Sequence, residues 1–151
     1  MSFELKERIL QTLIEQIEQK LAQLKFAIDD IKVSRNDQTK SSAGDKYETS
    51  RAMMEQELLK LETQKQQSLQ QLQHLSKIDL NKTHDKVAFG SLVESTNQFY
   101  FISIGYGKIT VDDKTIFVIS LNSPLGKALE GKEKGETVMF KNLRVKLFTI
   151  L

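Results

Sequence analysis

Apolar positions in the first half of the chain recur with a period of seven. Phe3, Leu10, Ile17, Leu24 and Ile31 are seven apart, and Ile14, Leu21 and Ile28 fall four after three of them. An a/d seam sustained over about four heptads makes a helix pack along a partner. A second seam runs through Leu58, Leu61, Leu72 and Leu75, with Lys65 and Ser68 making its middle heptad polar and its pairing weaker. Between the seams, residues 34–44 are polar and rich in turn formers, with a glycine suited to chain reversal. This predicts two helices folded back as an antiparallel coiled-coil hairpin. About 30 residues per helix give an arm on the order of 45 Å long. From the heptads alone, a dimerisation coiled coil is the favoured reading.

The period changes near residue 80. "KVAFGSLVES", "QFYFISIG", "TIFVISL", "ETVMF" and "RVKLFTIL" are rich in Val, Ile, Phe and Tyr and are separated by glycine and charged turns, which predicts strands. "SPLGKALEG" interrupts them with a good N-cap at Ser123, a first helical residue at Pro124 and a C-terminal cap at Gly131. The expected fold class is therefore α+β: a helical hairpin over 1–78 with its tip near 41–50, a linker over 79–85, and a small, mostly antiparallel β domain with one short helix over 86–151. Some 70 residues can fold alone, but marginally.

Composition narrows the chemistry. The chain has 151 residues and a formal net charge of +2, so its charge balance points neither to nucleic acid nor to a membrane surface. It has no cysteine, which excludes disulfides, thiol catalysis and cysteine-based zinc sites. "MSFELKERIL" has early acidic residues and no apolar h-region, unlike a signal peptide. No apolar run approaches the roughly 18 residues of a membrane span. The expected location is the cytoplasm.

His74 and His84, the two histidines, stand in no metal-ligand spacing and read as solvent-exposed polar residues. "SIGYGKITV" lacks the spacing of a phosphate-binding loop. The remaining candidates are Asp45 and Glu48 at the hairpin tip. They stand three apart, the spacing of a capping box, and that structural role alone accounts for both.

Three stretches carry a resemblance. "GDKYE" (residues 44–48) resembles the "GD-x-x-E" tip of the bacterial Gre-type transcript cleavage factors. "VAFGSLVE" (87–94) resembles the start of their second domain, and "SLNSPLGKALEGKEKGETV" (120–138) resembles their "SPIGRALLGK…GD-V" segment. The likeness runs the length of the chain in the same order. It implies a coiled-coil arm on an FKBP-like β domain, and a monomer that is an accessory factor rather than an enzyme. In that family the β domain docks on the largest subunit of RNA polymerase at the rim of its secondary channel, and the arm enters the channel. The tip then reaches the active centre and the 3′ end of backtracked RNA. Asp45 and Glu48 would share a Mg²⁺ with the polymerase, which cleaves its own transcript. Asp45 would be the ligand, and Glu48 would orient or deprotonate the water. The matched docking residues are Ser123, Pro124 and Leu125.

The chain departs from the pattern around the tip. Where the family usually has an apolar residue, "EN", and then an acid and a Tyr, this sequence has Lys46, Thr49, Arg51 and Ala52. Its basic residues there, Arg35, Lys40, Lys46 and Arg51, are scattered. These differences favour a relative that occupies the channel without stimulating cleavage. A prolyl isomerase or chaperone using the β domain is a third reading, and it needs an aromatic-lined pocket.

Overall fold

The computed structural model describes the backbone of residues 1–39, 44–96 and 98–151, and among these the side chains of all but 37–39 and 44–47. Two long helices, α1 (Phe3–Thr39) and α2 (Gly44–Leu75), precede a β region. The chain divides into two compact units, one of residues 15–72 and one of residues 1–14 together with 73–151.

The helical unit holds most of α1 and α2. Ile17, Leu21, Leu24 and Ile28 are buried, as the seam requires, and Ser68 is buried on α2. Lys32 Nζ lies 3.9 Å from Glu62 Oε1, so the helices run side by side. The five Cα–Cα steps from Thr39 to Gly44 reach at most roughly 18 Å, which cannot carry the chain back along a 37-residue helix of about 55 Å. The pair is therefore antiparallel.

The second unit is built on a six-stranded sheet of β1 (Leu92–Ser95), β2 (Phe99–Ile102), β3 (Gly107–Val111), β4 (Lys114–Ile119), β5 (Thr137–Phe140) and β6 (Leu143–Ile150), in the order β3-β4-β2-β1-β6-β5. All neighbours are antiparallel except β2 and β4, which are parallel because β3 intervenes in the chain. Two hairpins close through two-residue turns with positive φ at both positions, Asp112 and Asp113 (51° and 63°) and Lys141 and Asn142 (46° and 66°). That geometry matches the twist of the strands it joins. β3 lies in "SIGYGKITV", a stretch not expected to be a strand; it is short, begins at a glycine and buries only Ile109 and Val111.

Val93, Tyr100, Ile102, Val138, Val145 and Leu147 form a core on one sheet face with Leu129 of α3 (Pro124–Leu129). Alternation sends Leu92, Phe101, Ile116 and Val118 to the opposite face, where they are equally buried. The first turns of α1 supply the apolar cover within the same unit. Leu5, Ile9 and Leu13 are at most 2% exposed, whereas Phe3, expected in the heptad seam, is 46% exposed. Spacing of four, not seven, governs these first turns because they face a sheet rather than a helix.

Two polar contacts hold this end of α1. Lys6 Nζ donates to the Leu151 carbonyl at 3.1 Å, and Arg8 Nε donates to Asp112 Oδ2 at 2.7 Å. Residues 73–85 belong to this unit as well, with Leu75 1% exposed and Asn81 N donating to Asp79 Oδ1 in a tight turn. No helix among the described residues is long and apolar enough to cross a membrane.

Candidate functional site

α2 begins at Gly44, so Asp45 lies inside the first turn rather than at the cap position. Its side chain is outside the described residues. Glu48 is exposed, one turn further along the same helix. An acid in a first turn, the position Asp45 holds in the sequence, interacts favourably with the helix dipole. Beyond the tip, Arg51 Nε pairs with Glu55 Oε1 at 3.3 Å, four residues on along α2. The described residues contain no group of three or more His, Cys, Asp and Glu that could hold a metal ion.

The second candidate is the short helix α3. Ser123 is its N-cap: its Oγ accepts from Gly126 N at 3.0 Å and donates to the Ser120 carbonyl at 2.7 Å. Pro124 occupies the first helical position, where no backbone donor is needed. Gly126 sits so close to the preceding chain that a Cβ would overlap the Ser120 carbonyl oxygen and approach Leu121 Cα to 2.9 Å. At the other end, Gly131 has a φ of +76° and donates its N–H to the Val87 carbonyl at 2.9 Å. Both ends of α3 are thus fastened to the sheet unit.

This fixes what each matched residue can offer a partner. Leu129 is fully buried, and Leu125, partly buried, packs against the same core. The Ser123 hydroxyl is used internally. Pro124 and Lys127 are exposed and form the accessible part of the segment. Gly126 was not singled out by sequence reasoning, although its signal, a glycine inside a capped helix, is present in "SPLGKAL".

Of the histidines, His74 is exposed but His84 is half-buried, with Nε2 beside Gly90. Burial, with help from Lys6 and Lys82, lowers its pKa below the ordinary imidazole value and keeps it neutral near pH 7. It is a packing residue.

The chain thus combines an antiparallel helical hairpin, with Glu48 exposed near the start of α2, and a sheet unit carrying a short capped helix. Residues 82–151 match the family model "Transcription elongation factor, GreA/GreB, C-term". Those residues, just under half of the chain, are thus similar to the C-terminal domain of that family. The solved structure described as "Structure of the transcription factor Gfh1" is similar at a TM-score of 0.36 and 18% identity, covering 91% of this chain and 92% of that one. No curated protein matches the sequence.

Proposed function

We propose that this chain is a Gre-type elongation factor that binds RNA polymerase in the cytoplasm and stimulates cleavage of backtracked RNA. The match of residues 82–151 to the GreA/GreB C-terminal domain carries the reading. On it, the sheet unit docks on the largest subunit through the Pro124 end of α3, and the helical hairpin enters the secondary channel. The protein acts as an accessory factor, because cleavage takes place in the polymerase.

At the tip, Asp45 and Glu48 would help hold a second Mg²⁺ together with carboxylates of the polymerase. Bound there, the ion would lower the pKa of the attacking water. Oxygen-only ligands suit Mg²⁺, which takes one or two carboxylates from a partner and keeps several waters. One turn of helix separates the two positions. Glu48, exposed, is free to orient the water or accept its proton.

Incubating backtracked polymerase complexes with and without the protein tests the proposal. Faster release of RNA fragments ending at the former 3′ end is the expected result. Binding without faster release would support the second reading, a channel occupant that does not stimulate cleavage. Lys46, Thr49, Arg51 and Ala52 at the tip favour that alternative. Absence of binding would overturn both.

A further inference from the structure

The β5–β6 hairpin exposes one face that the core does not use. Val138, Val145 and Leu147 point into the core, so alternation places Met139, Arg144 and Lys146 on the outer face. Phe148 joins them. The register of β1 and β6 shifts between Glu94 and Ser95, leaving Phe148 as the extra residue of a β-bulge. A bulge re-aims a side chain, and this ring is 42% exposed where the alternate residue Leu147 is buried. Met139, paired with Arg144 across the hairpin, is 63% exposed.

On β5 and β6 themselves the charge of this face is of one sign. Arg144 and Lys146 are both exposed, and neither forms an ion pair with a carboxylate among the described residues. Lys146 Nζ instead lies 5.9 Å from the centre of the Phe148 ring. Glu94, paired with Thr149, is the acid that borders the strip on β1. Arg144, Lys146 and Phe148 therefore line up at every second residue, with side chains about 7 Å apart. One ring and one thioether are little apolar surface for a protein partner. A flat ring beside a row of unpaired cations fits a base stacked next to its phosphates.

We propose that the outer face of the β5–β6 hairpin binds single-stranded RNA, with Phe148 stacking on a base and Arg144 and Lys146 contacting phosphates. The choice of RNA over DNA rests on the function proposed above, where the strand at hand is a transcript. The surface itself does not. This binding is separate from the tip chemistry and from docking through α3.

The test uses the full chain without polymerase, so its failure is distinct from failure of the elongation-factor reading. Binding of a labelled oligo(U) of about 15 nucleotides would be followed by fluorescence anisotropy over a range of salt. The double variant Arg144→Ala/Lys146→Ala should bind at least tenfold more weakly, and its salt slope should fall by about 1.4. Phe148→Ala should lose about tenfold with the slope unchanged, and Phe148→Tyr should retain binding. Melting curves would confirm that the exposed substitutions leave the fold intact. No binding by the wild-type chain would overturn the proposal. So would equal losses in Lys20→Ala/Lys25→Ala, which removes the same charge from α1. Tighter binding of oligo(dT) than of oligo(U), or capture of an acidic amphipathic peptide in place of RNA, would also overturn it.

Discussion

Lys6 is the largest of the fully buried side chains, an unusual place for an ammonium group. Its ammonium donates to the Leu151 carbonyl. Burial lowers its pKa from 10.5 to about 8, and the nearby Asp79 carboxylate offsets only part of that. Because the folded value lies below the unfolded one, the cost of charge burial is fully present below pH 8. It is relieved as pH rises from about 8 to 10.5, where the unfolded chain still holds the proton. The upper limit of the relief is on the order of 3 kcal/mol. Lys6→Met, of similar length and without charge, should therefore raise the melting temperature at pH 7. The wild-type protein should gain on the variant as pH rises towards 10. Melting both proteins across that range checks it, and parallel curves would show that the ammonium is adequately compensated where it lies. Gly126 sets a second single-residue limit. Gly126→Ala should destabilise by roughly 2 kcal/mol through the clash with the Ser120 carbonyl, read as a lower denaturation midpoint with an unchanged slope.

Single elements divide into those whose local chemistry decides them and those decided by what they pack against. The helix α3 was legible because Ser123, Pro124 and Gly131 each supply a specific local solution to a helix end. The seam of α1 was legible from Ile17 to Ile28 for the same reason, one periodicity meeting one partner. The first turns of α1 were not, since Leu5, Ile9 and Leu13 are a helix-on-sheet stripe overlaid by heptad positions. β3 was hidden by its shortness and its two buried residues. Asp45 and Glu48 could be singled out by type and spacing, but helix α2 starting at Gly44 removes the expected cap position from Asp45. Their proposed role is tested by charge removal. Asp45→Asn and Glu48→Gln should each abolish stimulated RNA cleavage while polymerase affinity changes by less than about twofold, within 0.4 kcal/mol. Cleavage at the wild-type rate in both would leave them as helix-terminus acids. For α3, Ser123 is a poor probe of docking because its hydroxyl caps the helix. The exposed Lys127 is a better one. Lys127→Glu should weaken polymerase binding about tenfold, or 1.4 kcal/mol, with the melting temperature unaltered. Wild-type affinity would move the docking surface off this helix.

At the scale of the molecule, the change in sequence pattern and the division of the folded chain fall at different places. Patterning changes between residues 78 and 86, yet the sheet unit takes in residues 1–14 and 73–85. The reason is coverage. A sheet with Leu92, Phe101, Ile116 and Val118 buried on the face away from α3 needs a second layer, and 86–151 has no element left to provide one. Leu5, Ile9, Leu13 and Leu75 come from outside that segment and are all at most 2% exposed. At roughly 1.5–3 kcal/mol for each buried side chain, these four contribute about 6–12 kcal/mol. That is comparable to the whole stability of a small domain, about 5–15 kcal/mol. A fragment of residues 86–151 should therefore lack a cooperative thermal transition, despite containing every strand. A chain in which residues 1–14 are joined by a flexible linker to 73–151 should regain one. Circular dichroism melting of the two fragments beside the full chain would decide. A cooperative transition in 86–151 within a few degrees of the longer fragment would mean that the helical layer adds little. Polymerase-binding measurements on the sheet unit should then be made with the longer fragment, because loss of binding by 86–151 would report loss of fold as much as loss of the docking surface.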